Sequence, residues 1–236
     1  MIASLHPQMS FVNEKLPKPG IQFSSAAFGH PSIQELFHCG VITRDLLAQA
    51  GFIVIHDCHS GSPTEQPSLA NSTQFLHKDN GGVIDGITLR SRENGRSQAD
   101  TVLACDDDCL LEATLSHLNR CDMIKDIRKL SVADAVRWRC RGDIKRAIEL
   151  QGPVPGLYDN ADDFYDHPGL PALYTLLEKQ HLLYSHQWQQ NQLLVIDNKG
   201  MVHARANRES IEPPVRDKSP LLRAGFFWKP GDVLFL

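Results

Sequence analysis

The sequence has no apolar run near the roughly 20 residues that a membrane-spanning helix requires, and it has no internal repeat or low-complexity tract. It has no surplus of positive charge either: 24 basic residues stand against 28 acidic ones, for a net charge of -4. That balance leaves no electrostatic footprint for nucleic acid or an anionic membrane, so the expected partner is a small molecule, with oligomeric state unspecified. A disulfide framework is missing as well. The six cysteines, at Cys39, Cys58, Cys105, Cys109, Cys121 and Cys140, are few and irregularly spaced, and they read as reduced thiols. Cys105 and Cys109 have no second ligand pair at the spacing of a zinc site. The first residues show no basic stretch followed by an apolar run, so a cytoplasmic, soluble protein is expected.

What is present fits one domain over residues 1–236, long enough to bury a sizeable core. Residues 1–30, with several prolines and glycines, read as an irregular lead-in. Residues 42–50 begin near a capping Thr43 and stop at Gly51, the pattern of a helix with both ends marked. It feeds residues 52–56, a short aromatic and β-branched strand. Residues 57–74 are a polar loop leading to His77-Lys78-Asp79 beside a glycine turn. Strands are expected at 83–89 and 101–104, and helical periodicity dominates 109–150 and 172–183, giving a largely helical insert over 109–183. Strands return at 193–198, 201–205 and 221–228. Strands at both ends around central helices predict a mainly β fold with flanking helices, its β-core closing late in the chain.

The chemistry concentrates on few residues. On an extended segment, His77 and Asp79 point the same way, because side chains i and i+2 share a face. Two neighbouring ligands need a third from elsewhere, and His203, on a strand directly after the Lys199-Gly200 turn, supplies it. Two imidazoles and one carboxylate on one side of an ion form the facial triad of non-haem iron(II) oxygenases, which leaves open positions for cosubstrate and oxygen. His-x-Asp alone is a common pair of surface residues, so its weight depends on context. His56 and His59 have no carboxylate at motif spacing and are not expected as ligands, whereas His186 precedes the distal motif and is placed near the pocket.

The context is the stretch from His186 to Arg205: Trp188, a polar turn, the apolar Leu193-Leu194-Val195-Ile196 ending in Asp197-Asn198, a turn, then His203 with Arg205 two residues on. It resembles the distal motif of the TauD/TfdA-like (clavaminate synthase-like) Fe(II)- and 2-oxoglutarate-dependent dioxygenases. Residues 46–56 are similar to that family's early helix and Gly-Phe strand, and His77-Lys78-Asp79 falls where its proximal ligands belong. Asp100-Thr101 resembles its Asp-Thr, whose hydroxyl touches the distal carboxylate of 2-oxoglutarate. The resemblance spans roughly residues 45–228 and implies a double-stranded β-helix (jelly roll, cupin-like) core. It also implies Fe(II) at His77, Asp79 and His203, 2-oxoglutarate and O2 as cosubstrates, and oxidation with release of succinate and CO2. By family habit the substrate is a small carboxylated or amino-acid-like metabolite. Asp79 as a ligand favours hydroxylation over halogenation, with desaturation or ring chemistry open. Asp197-Asn198, Trp188 and Arg205 are expected to shape strand and turn.

The chain departs from the family where two arginines four residues apart close the cosubstrate site. Ser219 stands at the first position and Arg223 at the second. A buried carboxylate needs a cation, best a bidentate guanidinium, and the candidates are Arg223 first and Arg216 second. The missing arginine is the main support for an alternative, a non-catalytic jelly-roll protein that binds a small acid.

Overall fold

The computed structural model of the chain describes residues 5–29, 32–67, 76–91, 99–120, 169–207 and 221–236. Among the described residues, eleven strands are arranged in two sheets, with helices against their outer faces. The strands are β1 (Ser10–Phe11), β2 (Ile21–Ser24), β3 (Phe52–His56), β4 (Gln66–Pro67), β5 (Gly86–Ser91), β6 (Ala99–Cys105), β7 (Leu183–His186), β8 (Leu193–Asp197), β9 (Met201–Asn207), β10 (Leu221–Lys229) and β11 (Asp232–Phe235). The larger sheet runs β1-β2-β3-β8-β5-β10-β11, with β4 also pairing with β10, and the smaller runs β7-β6-β9.

The helices begin where local chemistry allows. Helix α1 (Ile33–His38) starts with a capping box, in which the Ser32 hydroxyl accepts from the Glu35 N–H and the Glu35 carboxylate accepts from the Ser32 N–H. Helix α2 (Arg44–Ala50) is capped by Thr43 and ends at Gly51, whose φ of 82° is costly for a side-chain-bearing residue. The two helices cover the outer face of the larger sheet in one apolar cluster that includes Leu36, Leu47, Ile53, Val195 and Phe226. On the other side, α4 (Gly169–Lys179) packs on β7 and β9, and α3 (Asp108–Arg120) packs on α4.

Between the sheets lies a second cluster. Phe52, Val54, Ile87, Leu89, Leu194 and Ile196 of the larger sheet meet Leu103 and Met201 of the smaller. Tyr184 stacks on Phe52 with ring centroids 5.2 Å apart. Because strand side chains alternate, this cluster also fixes which polar residues face inward: Thr101 with Leu103, His186 with Tyr184, and His203 and Arg205 with Met201. Arg223 faces inward too, since Ala224 and Phe226 share the opposite face of β10 and belong to the outer cluster, which Arg223 does not join.

Several boundaries agree with the sequence reading and some elements differ. The lead-in carries β1 and β2. β2 runs parallel to β3 with Ile21 opposite Ile53, and only Ile21 and Phe23 are buried in it, too short an alternation to stand out from the surrounding prolines. The helix expected at 172–183 is α4, and its last expected residue instead opens β7. A final hairpin, β10 to β11, turns at Pro230-Gly231, with φ of 73° at Gly231. Of the helical insert, α3 and α4 are the described ends, and residues 121–168 lie outside the described residues.

Candidate metal centre

The two histidines are brought together by backbone pairing. His77 and His203 form an antiparallel bridge in which each N–H donates to the other's carbonyl at 2.9 Å. In such a directly opposed pair the side chains leave from the same face. Their rings accordingly lie with centroids 4.4 Å apart.

Asp79 reaches the same point by a different route from the strand expected for it. The bridge ends at His77, and Asp79 opens a short 3-10 turn, Asp79–Gly82. What fixes this turn is Asn198, fully buried after β8. Its side-chain oxygen accepts from the Asp79 N–H at 2.9 Å, and its amide nitrogen donates to the carbonyls of Asp79 and Ile84, both at 3.0 Å. Lys199, the next residue, donates from Nζ to the carbonyls of Gly82 and Val83 at 2.8 and 2.7 Å. Asp197 holds the preceding turn, accepting from the Lys199 N–H and pairing with Lys18 at 3.0 Å. Asp197-Asn198 thus shapes the turn, as expected, and Asn198 also sets the backbone of a candidate ligand.

The resulting cluster places Asp79 Oδ1 3.8 Å from His77 Nε2, and Asp79 Oδ2 3.7 Å from His203 Nε2. One donor atom from each of the three residues lies within 4.8 Å of the others. Arg223 approaches from β10, with Nε 2.8 Å from Asp79 Oδ2. The contact is one of charge, because that buried oxygen accepts no well-aligned hydrogen bond. Burial, with His77 and Arg223 close by, pushes the His203 imidazole down to about 3, so it is a neutral ring with a lone pair to give. Lys78 turns away from the centre, its Nζ 2.6 Å from Asp106 Oδ2 and donating to the Lys199 carbonyl.

The neighbouring inward row holds Thr101. It is opposite His186 on β7 and opposite Arg205 on β9. The Trp188 indole N–H donates to Thr101 Oγ1 at 2.9 Å, and the Trp188 ring meets His186 edge-on with centroids 4.7 Å apart. His186 is buried, which holds its imidazole down at about 4, and its Nε2 has no hydrogen-bond partner among the described residues. Arg205 is also buried, and that burial lowers its guanidinium to about 10. His56, not expected as a ligand, hydrogen-bonds Gln192 at 3.1 Å instead. Arg216 and Ser219 lie outside the described residues. Sequence reasoning missed the turn geometry at Asp79 and the alignment of Arg205 with Thr101, which arises only in the register between β6 and β9.

No described helix is long and apolar enough to cross a membrane. No family model matches the chain, and no curated protein does. Solved structures do. AAD-2, in complex with Mn(II) and N-oxalylglycine, is 14% identical with a TM-score of 0.45, over 92% of this chain and 96% of that one. PvcB of Pseudomonas aeruginosa, described as an Fe, alpha-ketoglutarate dependent oxygenase from an isonitrile synthetic pathway, is 13% identical with a TM-score of 0.46, over 94% and 93%. A taurine dioxygenase from Burkholderia xenovorans is 11% identical with a TM-score of 0.40, over 93% and 90%. At these identities and scores the likeness assigns no role to any residue, and the site has to be read from its own side chains.

Proposed function

We propose that the protein is a non-haem Fe(II)- and 2-oxoglutarate-dependent oxygenase acting on a small carboxylated or amino-acid-like metabolite. The observation that carries this reading is the convergence of His77, Asp79 and His203 on one point, with Asp79 and His203 buried and His77 partly so. The donor set fits a divalent ion. The carboxylate has a buried oxygen without a hydrogen bond, and His203 is neutral and so able to ligate. The paired sheets are taken as the walls of a jelly roll, with the centre at their seam and residues 109–183 as an insert beside it.

Iron(II), when bound, supplies the activation of O2 that couples conversion of 2-oxoglutarate to succinate and CO2 with oxidation of the substrate. The chain's own task is placement. Asn198 and Lys199 hold the Asp79 turn rigid, so the carboxylate meets the two imidazoles without reorganisation. Arg223 balances charge at the Asp79 end of the site. The hydroxyl of Thr101 is oriented by Trp188: its oxygen accepts the indole N–H, which leaves its hydrogen to be donated to a carboxylate.

The test is succinate formation by protein reconstituted anaerobically with iron(II) and 2-oxoglutarate, before and after oxygen is admitted. Oxygen-dependent succinate that disappears in His77→Ala is the expected result, even if turnover without substrate is slow. Tight iron binding with no binding or turnover of 2-oxoglutarate would instead make the protein a non-catalytic binder of another small acid.

A further inference from the structure

Resting on the metal centre proposed above, we infer that Lys78 and Asp106 are positioning residues, a buried ion pair that fixes the two ligands flanking Lys78 against the start of α3. Lys78 is the middle residue of His77-Lys78-Asp79, and Asp106 directly follows β6, two residues before α3 begins. Both side chains are withdrawn from water, at 8% and 9% exposure, with Lys78 Nζ 2.6 Å from Asp106 Oδ2.

Lysine and aspartate are almost never buried unless paired, and a buried pair is often no more stabilising than apolar side chains of the same volume. What the pair adds is direction. An apolar side chain at position 78 could fill the space, but it would not fix where the backbone between the two ligands lies. The ammonium does so through two donors aimed at different segments, one at the Asp106 carboxylate and one at the Lys199 carbonyl.

The neighbouring contacts show what this direction serves. His77 is held through its backbone by His203, and Asp79 through its backbone by Asn198, so Lys78 is the residue of the three held by its side chain. Lys199 makes the reverse contact, from its Nζ to the carbonyls of Gly82 and Val83, so the ligand loop and the 198–200 turn each grip the other with a lysine. Asp106 brings in a third segment. Its N–H donates to the Gly200 carbonyl at 3.0 Å, and the next residue, Asp107, caps α3 by accepting from the Leu110 N–H at 2.9 Å. The ligand loop cannot shift against the start of α3 without breaking the ion pair, so the position of that helix is passed to the ligands.

The experiment is calorimetric titration of the full chain with Mn(II), without oxygen, in wild type, Lys78→Met, Asp106→Asn and the double variant. Charge and position predict opposite signs. If Lys78 acted only by its charge, its removal would strengthen the binding of a dication, while neutralising Asp106 would weaken it. A positioning pair requires both to weaken it, Lys78→Met by about 10- to 100-fold, the range for groups that orient metal ligands, and Asp106→Asn by several-fold because an acceptor oxygen remains. The double variant should lose no more than Lys78→Met alone, since the two residues act as one unit. Lys78→Arg, which keeps a donor cation, should recover part of the affinity, and with Asp106→Asn it carries the test if Lys78→Met does not fold. Wild-type or tighter Mn(II) binding in Lys78→Met, unchanged binding in Asp106→Asn, or fully additive losses in the double variant would each overturn the inference and leave the metal centre standing. If wild type itself does not bind Mn(II), the oxygenase reading fails and takes this inference with it.

Discussion

Replacing Asn198 by alanine is the most direct test of how the Asp79 carboxylate is positioned. The change removes three hydrogen bonds, one to the Asp79 N–H and two to the carbonyls of Asp79 and Ile84, in a position with no exposure to solvent. At about 1 kcal/mol net for each, the loss is roughly 3 kcal/mol, within the 5–15 kcal/mol typical of folded domains, so the variant should still fold. With a urea dependence of about 3 kcal/mol per molar, the denaturation midpoint should fall by about 1 M. The loosened turn no longer presents Asp79 to the imidazoles, and Mn(II) affinity measured by calorimetry should drop about 10- to 100-fold. Asn198→Asp should be no milder, because it keeps an acceptor for the Asp79 N–H but turns a carboxylate toward two carbonyls. A variant that loses the stability yet binds Mn(II) as tightly as wild type would refute the positioning role, and a midpoint shift below about 0.3 M would refute the energetics.

Two further outcomes follow from burial. His186 has its pKa lowered from 6.5 to about 4 by burial, so the unfolded chain takes up the proton first as pH falls. Its contribution is therefore complete above about pH 6.5 and lost between there and about pH 4, by up to about 3 kcal/mol. Chemical denaturation at pH 7 and 4.5 should show a smaller acid-induced loss in His186→Gln than in wild type, and equal losses would reject the assignment. Among the described thiols, Cys39 and Cys109 are exposed, Cys58 is buried, and burial pushes Cys105 up to about 11. Alkylation of the native protein at neutral pH, read by mass spectrometry, should label Cys39 and Cys109 well before Cys58 and Cys105.

Much of this architecture could be read from the chain because several elements announce themselves locally. Phe52–His56 and Leu193–Asp197 are continuous apolar runs bounded by turn residues, and Thr43 and Gly51 mark both ends of α2. Helix α1 had the same kind of signal in Ser32-x-x-Glu35, although its apolar residues are too few to draw attention. Other elements depend on pairings that no local pattern encodes. Neither β2 nor β7 has more than four residues, and each is ordered by its neighbour rather than by its own composition. At the site, the three residues of the candidate triad could be picked out from His77-x-Asp79 and the later His203, but their geometry could not. The expected strand stops at His77, and Asp79 is placed by an asparagine remote in sequence, through backbone hydrogen bonds. Arg205 was expected to shape strand and turn, and its place opposite Thr101 arises only through the β6–β9 register.

The bridge between His77 and His203 has a consequence for how the molecule holds together. His203 belongs to the smaller sheet, while the Asp79 turn is fastened to Asn198 at the end of a strand of the larger one. An ion shared by these residues therefore acts as a rivet through the seam between the sheets. Its binding energy adds to the resistance of the whole sandwich against opening, by RT ln(1 + [L]/Kd) for an ion that the unfolded chain does not hold. Occupancy of the centre and the melting temperature should accordingly rise together, which makes thermal unfolding with and without a chelator a simple gauge of how fully any preparation is loaded.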